Sequence, residues 1–179
     1  MIRSSSSLQP VEASKPSLDV SQVISAEPLD IVGLLRQGHH PAAGAVVLFS
    51  GEVRDHNKGR EVAYLEYETY YPLAVKMMDA ILAEAREKWH LQLAIAQHRI
   101  GRLAIGESAV VVITASAHRR EAYEANRHII DRIKHEVPIW KCEYFADGSH
   151  QWGNNCNCHA TTGDATKHIY ESMEDHSGK

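Results

Sequence analysis

Residues 134–141 read K-H-E-V-P-I-W-K, two lysines seven positions apart with Pro138 between them. In an unbroken helix, positions seven apart stack on one face. Proline removes that option. It has no N–H, its ring clashes with the preceding turn, and it pushes Val137 toward extended backbone. The stretch is therefore read as the last turn of a helix carrying Lys134, followed by a strand carrying Lys141. This corner decides the fold class, because it hands the chain directly from helix to strand. It also lets two cations approach one pocket from different elements.

Upstream of the corner, an amphipathic helix is predicted from about Arg119, with Ala122, Tyr123, Asn126, Ile129, Ile130 and Ile133 on one face. Before it, residues 109–114 (A-V-V-V-I-T) form an uninterrupted apolar run, read as a central strand buried on both faces. Downstream, residues 139–145 read as a strand, and Asp147-Gly148 as a hairpin turn before Gln151-Trp152. Residues 91–100 read as a further strand closed by Gly101. A second helix opens on Pro72 and runs to near Trp89, with Leu73, Met77, Ile81, Leu82 and Ala85 at three- and four-residue steps.

Residues 62–70 alternate in polarity as a two-faced strand, and residues 44–53 (G-A-V-V-L-F-S-G-E-V) form a β-branched strand. R-D-H-N-K-G-R is the polar loop between them. Nearer the start, a short strand is expected within residues 19–26, then a brief helix opening on Pro28 and ended by Gly38. The pattern is α+β, with helices packed on one face of a mainly antiparallel sheet. Residues 1–18 read as a disordered lead, 19–152 as a single domain, and 153–179 as a flexible tail.

The chain has 179 residues, 44% of them hydrophobic and 23% charged, enough for one domain with a substantial core. A net charge of −4 argues against a nucleic-acid binder driven by bulk charge, so any basic site must be local. No apolar run approaches the roughly 20 residues that span a bilayer, and the opening M-I-R-S-S-S-S lacks the apolar segment of a secretory signal. Three cysteines without a spaced framework point to a reducing compartment, and the expectation is a cytoplasmic protein.

Three clusters carry chemistry. Ser116-Ala117-His118-Arg119-Arg120 stands at the start of the second long helix. Free N–H groups and the helix dipole attract anions there, and cations are tolerated when an anion is bound or solvent screens them. Glu52-Val53-Arg54-Asp55-His56-Asn57-Lys58 stands where a strand feeds a loop, and Arg54 there offers a bidentate grip on phosphate or carboxylate. The third cluster is the lysine corner. Burial or a neighbouring cation lowers a lysine's pKa and makes it reactive. Taken singly, each is equally a solvated surface: a helix start balanced by Glu121, a charged hairpin, and a lysine favouring a helix C-terminus. His98-Arg99-Ile100-Gly101-Arg102 is read as structural. Cys156-Asn157-Cys158-His159 is tighter than zinc spacing and lacks a fourth ligand, so neither a metal nor another cofactor is assigned.

Taken together and in order, G-A-V-V-L-F-S-G-E-V-R-D-H-N, H-R-I-G, S-A-H-R and I-K-H-E-V-P-I-W-K-C-E resemble the large, catalytic subunit of molybdopterin synthase. The resemblance covers roughly residues 44–152. It implies an α/β hammerhead-like fold with an additional small antiparallel β-sheet. It also implies a sulfurtransferase forming the homodimeric core of a heterotetramer. A small ubiquitin-like sulfur carrier would insert a C-terminal Gly-Gly thiocarboxylate. Two sulfurs would then pass to cyclic pyranopterin monophosphate, forming the dithiolene of the molybdenum cofactor precursor.

Carried over by position, the catalytic residues are Lys134 and Lys141. The substrate-binding residues are Glu52, Val53, Arg54, His118, Arg119, Lys134, Lys141, Cys142 and Glu143. By the same implication Arg54, His118 and Arg119 hold the cyclic phosphate, Lys134 meets the thiocarboxylate, and Lys141 anchors the substrate or assists proton transfer. The chain departs from the family at Cys142, where many relatives carry a further basic residue, and in the tail after Gly153. The alternatives are a noncatalytic dimeric module that binds a ubiquitin-like carrier, and a phosphoester hydrolase, for which no convincing ligand set or nucleophile–base pair is visible.

Overall fold

The computed structural model describes residues 23–153. In chain order the elements are β1 (Ile24–Ser25), α1 (Ile31–Gln37), β2 (Ala45–Glu52), β3 (His56–Asn57), β4 (Arg60–Thr69) and α2 (Tyr71–Lys88). They continue as β5 (Leu93–Arg99), β6 (Gly101–Ala104), β7 (Ser108–Ser116), α3 (Arg119–Glu136), β8 (Ile139–Phe145) and β9 (His150–Gly153). The lead expected over 1–18, and the tail after Gly153 with Cys156, Cys158 and His159, lie outside the described residues. Among those described, no helix is long and apolar enough to cross a membrane.

The first sheet has the order β1-β5-β7-β2, antiparallel except for the parallel pair β1–β5. Its centre is β7, buried from Ala109 to Ser116 as the apolar run requires. Val110 and Val112 face a core shared with Met78 and Ile81 of α2 and Ile129 and Ile133 of α3. Val111 and Ile113 face the other way, onto Leu34 of α1 and Ile95. The helices therefore cover both faces rather than the expected one. The physical reason is in β7 itself: consecutive apolar residues need cover on both sides.

The second sheet runs β3-β4-β8-β9, with β6 also paired to β4. Its inward face contributes Val62, Leu65, Leu103 and Phe145 to a smaller core with Val53 and Ala109. Sequence reading misses β6, a four-residue strand with one buried side chain, Leu103. Gly101, at φ +84°, sits where the chain leaves β5 for this second sheet, a conformation that favours glycine. Two helix readings also shift. Asp30, not Pro28, opens α1, its carboxylate accepting from the Gly33 N–H at 2.9 Å. In α2 the buried stripe is Ala74, Met78, Ile81, Leu82 and Ala85, while Leu73 is exposed. The phase is set by Ala74, a small residue that a search for large apolar side chains passes over.

α3 packs through Ala122, Ala125, Asn126, Ile129, Ile130 and Ile133, and Tyr123 turns out to solvent. A polar link fixes its seating on the sheet. Asn126 Nδ2 donates to the Val47 and Val112 carbonyls, both at 3.1 Å, and Thr114 Oγ1 donates to the Ala122 carbonyl at 2.8 Å. Asn126→Ala is expected to lower unfolding free energy by about 2 kcal/mol, since it removes buried hydrogen bonds and leaves a void. Urea titration measures the change. At its other end α3 stops at Val137, which is extended (φ −76°, ψ 132°) as a residue before proline should be. The Pro138 carbonyl accepts from Thr69 Oγ1 at 2.8 Å and from the Tyr70 N–H at 3.3 Å, which ties the corner to the end of β4.

Candidate functional site

A cavity of about 230 Å³ lies between the two sheets, where α3 gives way to β8. Lys134 enters from the last turn of α3, and Lys141 and Glu143 enter from one face of β8. Gly51 and Glu52 of β2 and Arg54 just beyond it form the rim with His56 and Asn57 of β3. Tyr67 of β4 and His98 of β5 complete the polar wall, over apolar side chains that include Val62, Leu65 and Val110.

The two lysines differ in kind. Lys141 Nζ lies 2.7 Å from Glu143 Oε1, in a largely buried ion pair. Glu143 Oε2 accepts from Asn57 Nδ2 at 2.6 Å, so both carboxylate oxygens are engaged. Burial alone would raise the Glu143 carboxyl, but the bonds from Lys141 and Asn57 outweigh it and hold it below the usual range. Lys134 makes no ion pair among the described residues. Its Nζ stands over the Phe49 ring, 5.8 Å from the centroid. Burial first, then the charges of Lys141 and Arg54, lower its pKa against a smaller opposing effect of Asp131. The corner thus presents one neutralised lysine and one unneutralised lysine that gives up its proton more easily than usual.

His98 is only 4% exposed, and Tyr67 packs edge-on against its ring at 5.0 Å. Burial drives its pKa down to about 4 from 6.5, with Lys134 adding to the effect and a hydrogen bond to the Arg99 carbonyl opposing it. Burial likewise pushes the Tyr67 hydroxyl up to about 12, helped by Glu143. Because the folded pKa of His98 is depressed, the unfolded chain binds the extra proton between about pH 6.5 and pH 4. The stability it contributes is full above that window and is lost as pH falls through it. Between pH 7 and pH 5 the wild type should lose about 2 kcal/mol more than His98→Gln, by urea midpoints at the two pH values.

Of the residues singled out in the sequence, Glu52, Arg54, Lys134, Lys141 and Glu143 line this cavity. Val53 does not; its side chain is in the smaller core, its N–H donates to Glu107 and its carbonyl accepts from Gly106. Cys142 also does not, because strand alternation turns it to the opposite face of β8, where it is fully buried and its thiol pKa is raised by that burial. His118 and Arg119 mark the start of α3, some 15 residues before Lys134. At 1.5 Å per residue that is roughly 22 Å along the axis, so they do not reach the cavity of their own chain. Sequence reasoning misses Tyr67 and His98. The signal for His98 was present, a histidine alternating with Ile100 toward the interior, but nothing local distinguishes a packed histidine from one facing a cavity.

Among the described residues no cluster of three or more His, Cys, Asp or Glu is arranged to hold a metal ion. The site is instead a local concentration of cations over a partly apolar pocket. Such a site suits a ligand that joins an anionic group to an apolar or aromatic part.

Residues 24–136 match the family model described as MoaE protein. The chain is 46% identical over 129 residues to the molybdopterin synthase catalytic subunit of Bacillus subtilis, covering 72% of this chain and 82% of that one. It superposes on the crystal structure of molybdopterin synthase from Staphylococcus aureus with a TM-score of 0.70 and 41% identity, covering 74% of this chain and 96% of that one. It shares its fold, at TM-score 0.60 and 23% identity, with a chain in the complex of subunits 1 and 2 of the molybdopterin-converting factor from Helicobacter pylori; the match covers 73% and 88% of the two chains. With family model, curated relative and solved structure in agreement, the chain belongs to the MoaE family, that of the molybdopterin synthase catalytic subunit.

Proposed function

We propose that this chain transfers sulfur from a thiocarboxylated small carrier protein to cyclic pyranopterin monophosphate, and that the inter-sheet cavity is where transfer occurs. The observation that carries the reading is the unequal lysine pair: Lys141 neutralised by Glu143, and Lys134 unpaired and lowered in pKa. A thiocarboxylate is an anionic nucleophile, and an unpaired ammonium orients it. In the first step sulfur attacks a substrate carbon and displaces an oxygen substituent, whose carbon–oxygen bond breaks and which leaves protonated or on the phosphate, while the carrier's acyl group stays attached to the sulfur. Water then cleaves the acyl–sulfur bond, so that the carrier leaves as a carboxylate and the sulfur stays on the pterin. An oxyanion develops at the acyl carbon in the second step, and Lys134 stabilises it by charge. A second carrier supplies the second sulfur.

Lys141 serves as an anchor. Its Nζ is held by Glu143, and Glu143 by Asn57, so its position is set before substrate arrives. Arg54 contributes a planar grip on the cyclic phosphate. His118 and Arg119 belong at the phosphate in the same reading, and a homodimer gives them a place, with a second copy presenting the start of its α3 at the cavity mouth. The Helicobacter pylori complex of two subunits supports a small-subunit partner on the same fold.

The test is co-purification with a candidate Gly-Gly-ended carrier, followed by an assay for the dithiolene product with pterin precursor added. Association with turnover is expected. Association without turnover would favour a noncatalytic carrier-binding module instead.

A further inference from the structure

The cavity wall is rich in cations. Arg54, Lys134 and Lys141 bring cations, while both oxygens of Glu143 are occupied by Lys141 and Asn57. Glu52 adds a carboxylate at the end of β2, and beside Tyr67 and the apolar lining His98 offers a neutral acceptor. Its Nδ1 lies 2.8 Å from the Arg99 carbonyl oxygen, an acceptor only, so Nδ1 carries the ring proton and donates it there. Nε2 is then a bare lone pair. It receives no hydrogen bond among the described residues, and the ring it belongs to lines the cavity.

We propose that His98 is a specificity-determining residue of this pocket, whose Nε2 accepts a hydrogen bond from a ring N–H of the bound heterocycle. The inference rests on the pterin reading of the cavity and extends it to the part of the ligand the cations do not read. The anionic end of the ligand is taken by Arg54 and Lys141. The flat end meets Val62, Leu65, Val110 and the Tyr67–His98 pair, and His98 is the side chain there that selects for a donor. A neutral imidazole can do this at any working pH, since burial keeps it unprotonated well below neutrality. A site built to bond an N–H discriminates strongly against a ligand lacking it, because the buried acceptor is then left unpaired.

The experiment is calorimetric binding of cyclic pyranopterin monophosphate, and of an analogue with its ring N–H groups methylated, to the wild type, His98→Gln and His98→Phe. Turnover is measured in parallel. Glutamine keeps an acceptor oxygen near the Nε2 position and phenylalanine does not. Relative to wild type, His98→Phe should weaken precursor binding about tenfold and raise KM, with His98→Gln largely restoring both. The methylated analogue should lose about tenfold against wild type and His98→Gln, and little against His98→Phe. A role limited to packing would not produce that crossed pattern. Equal affinity of wild type and His98→Phe for the precursor overturns the inference. If His98→Phe does not fold, the analogue decides alone, and undiminished binding to the wild type overturns it. A wild type that turns over precursor while these differences are missing sinks His98 only. A wild type that neither binds nor turns over precursor sinks the pterin reading and this inference with it.

Discussion

Lys134→Ala is expected to reduce dithiolene formation by roughly 10³-fold or more while leaving the fold intact, an effect on the scale of losing a principal electrostatic group. The fold should survive because Lys134 has no ion-pair partner to leave stranded. Its hydrophobic neighbours in the last turn of α3, Ile130 and Ile133, are untouched. Removing the lysine also removes a positive charge held among other cations, which by itself relieves repulsion with Lys141 and Arg54. A melting temperature at or above wild type, with turnover lost, is therefore the expected pair of results. Lys134→Arg separates two roles. Arginine keeps the charge but does not release a proton at working pH. Substantial activity in that variant would assign Lys134 to charge stabilisation, and activity as low as in alanine would assign it to proton transfer or to a geometry that arginine cannot reproduce.

Glu143→Ala should have the largest structural effect at the site. It leaves the Lys141 ammonium, with its side chain only 23% exposed, without its carboxylate, and removes the acceptor of Asn57. Breaking one side of such a pair costs about 3 kcal/mol, much of it from the stranded charge. Chemical denaturation measures the loss. The double replacement Lys141→Met with Glu143→Leu should recover most of that stability, because two apolar side chains of similar volume substitute well for a buried pair. It should not recover turnover. A double variant that is stable and inactive would separate the two contributions of the pair, and one that is stable and fully active would remove Lys141 from the chemistry.

How much of this was legible in the sequence depended on whether the signal was local. The Pro138 break is a covalent constraint, and it placed Lys134 on α3 and Lys141 on β8 without help from the rest of the chain. The apolar run of β7 likewise announced burial on both faces. What it did not announce was that α1 provides the second cover, because a seven-residue helix carries almost no periodic signal. β6 was hidden for the same reason. At the site, Glu52, Arg54 and Glu143 could be named from motif order, yet Val53 and Cys142 in the same motifs turn away from the cavity. Strand alternation explains Cys142, whose neighbours Lys141 and Glu143 face the opposite side, whereas Val53 lies just past the end of β2, its backbone bonded to Gly106 and Glu107 and its side chain in the smaller core. Tyr67 and His98 converge on the cavity from different sheets, a proximity that exists only after β4 and β5 have been packed together. His118 and Arg119 make the converse point. They stand at the opposite end of the helix that carries Lys134, and its 18-residue length keeps them from the cavity.

The most direct measurement follows the sulfur itself. The purified chain is mixed with a small carrier protein whose C-terminal thiocarboxylate holds isotopically labelled sulfur, together with cyclic pyranopterin monophosphate. Both products are then examined by mass spectrometry. Sulfur transfer in this cavity requires the label to appear on the pterin and the carrier to return as a carboxylate. A carrier that binds the chain, keeps its labelled sulfur and leaves the pterin unchanged would contradict it.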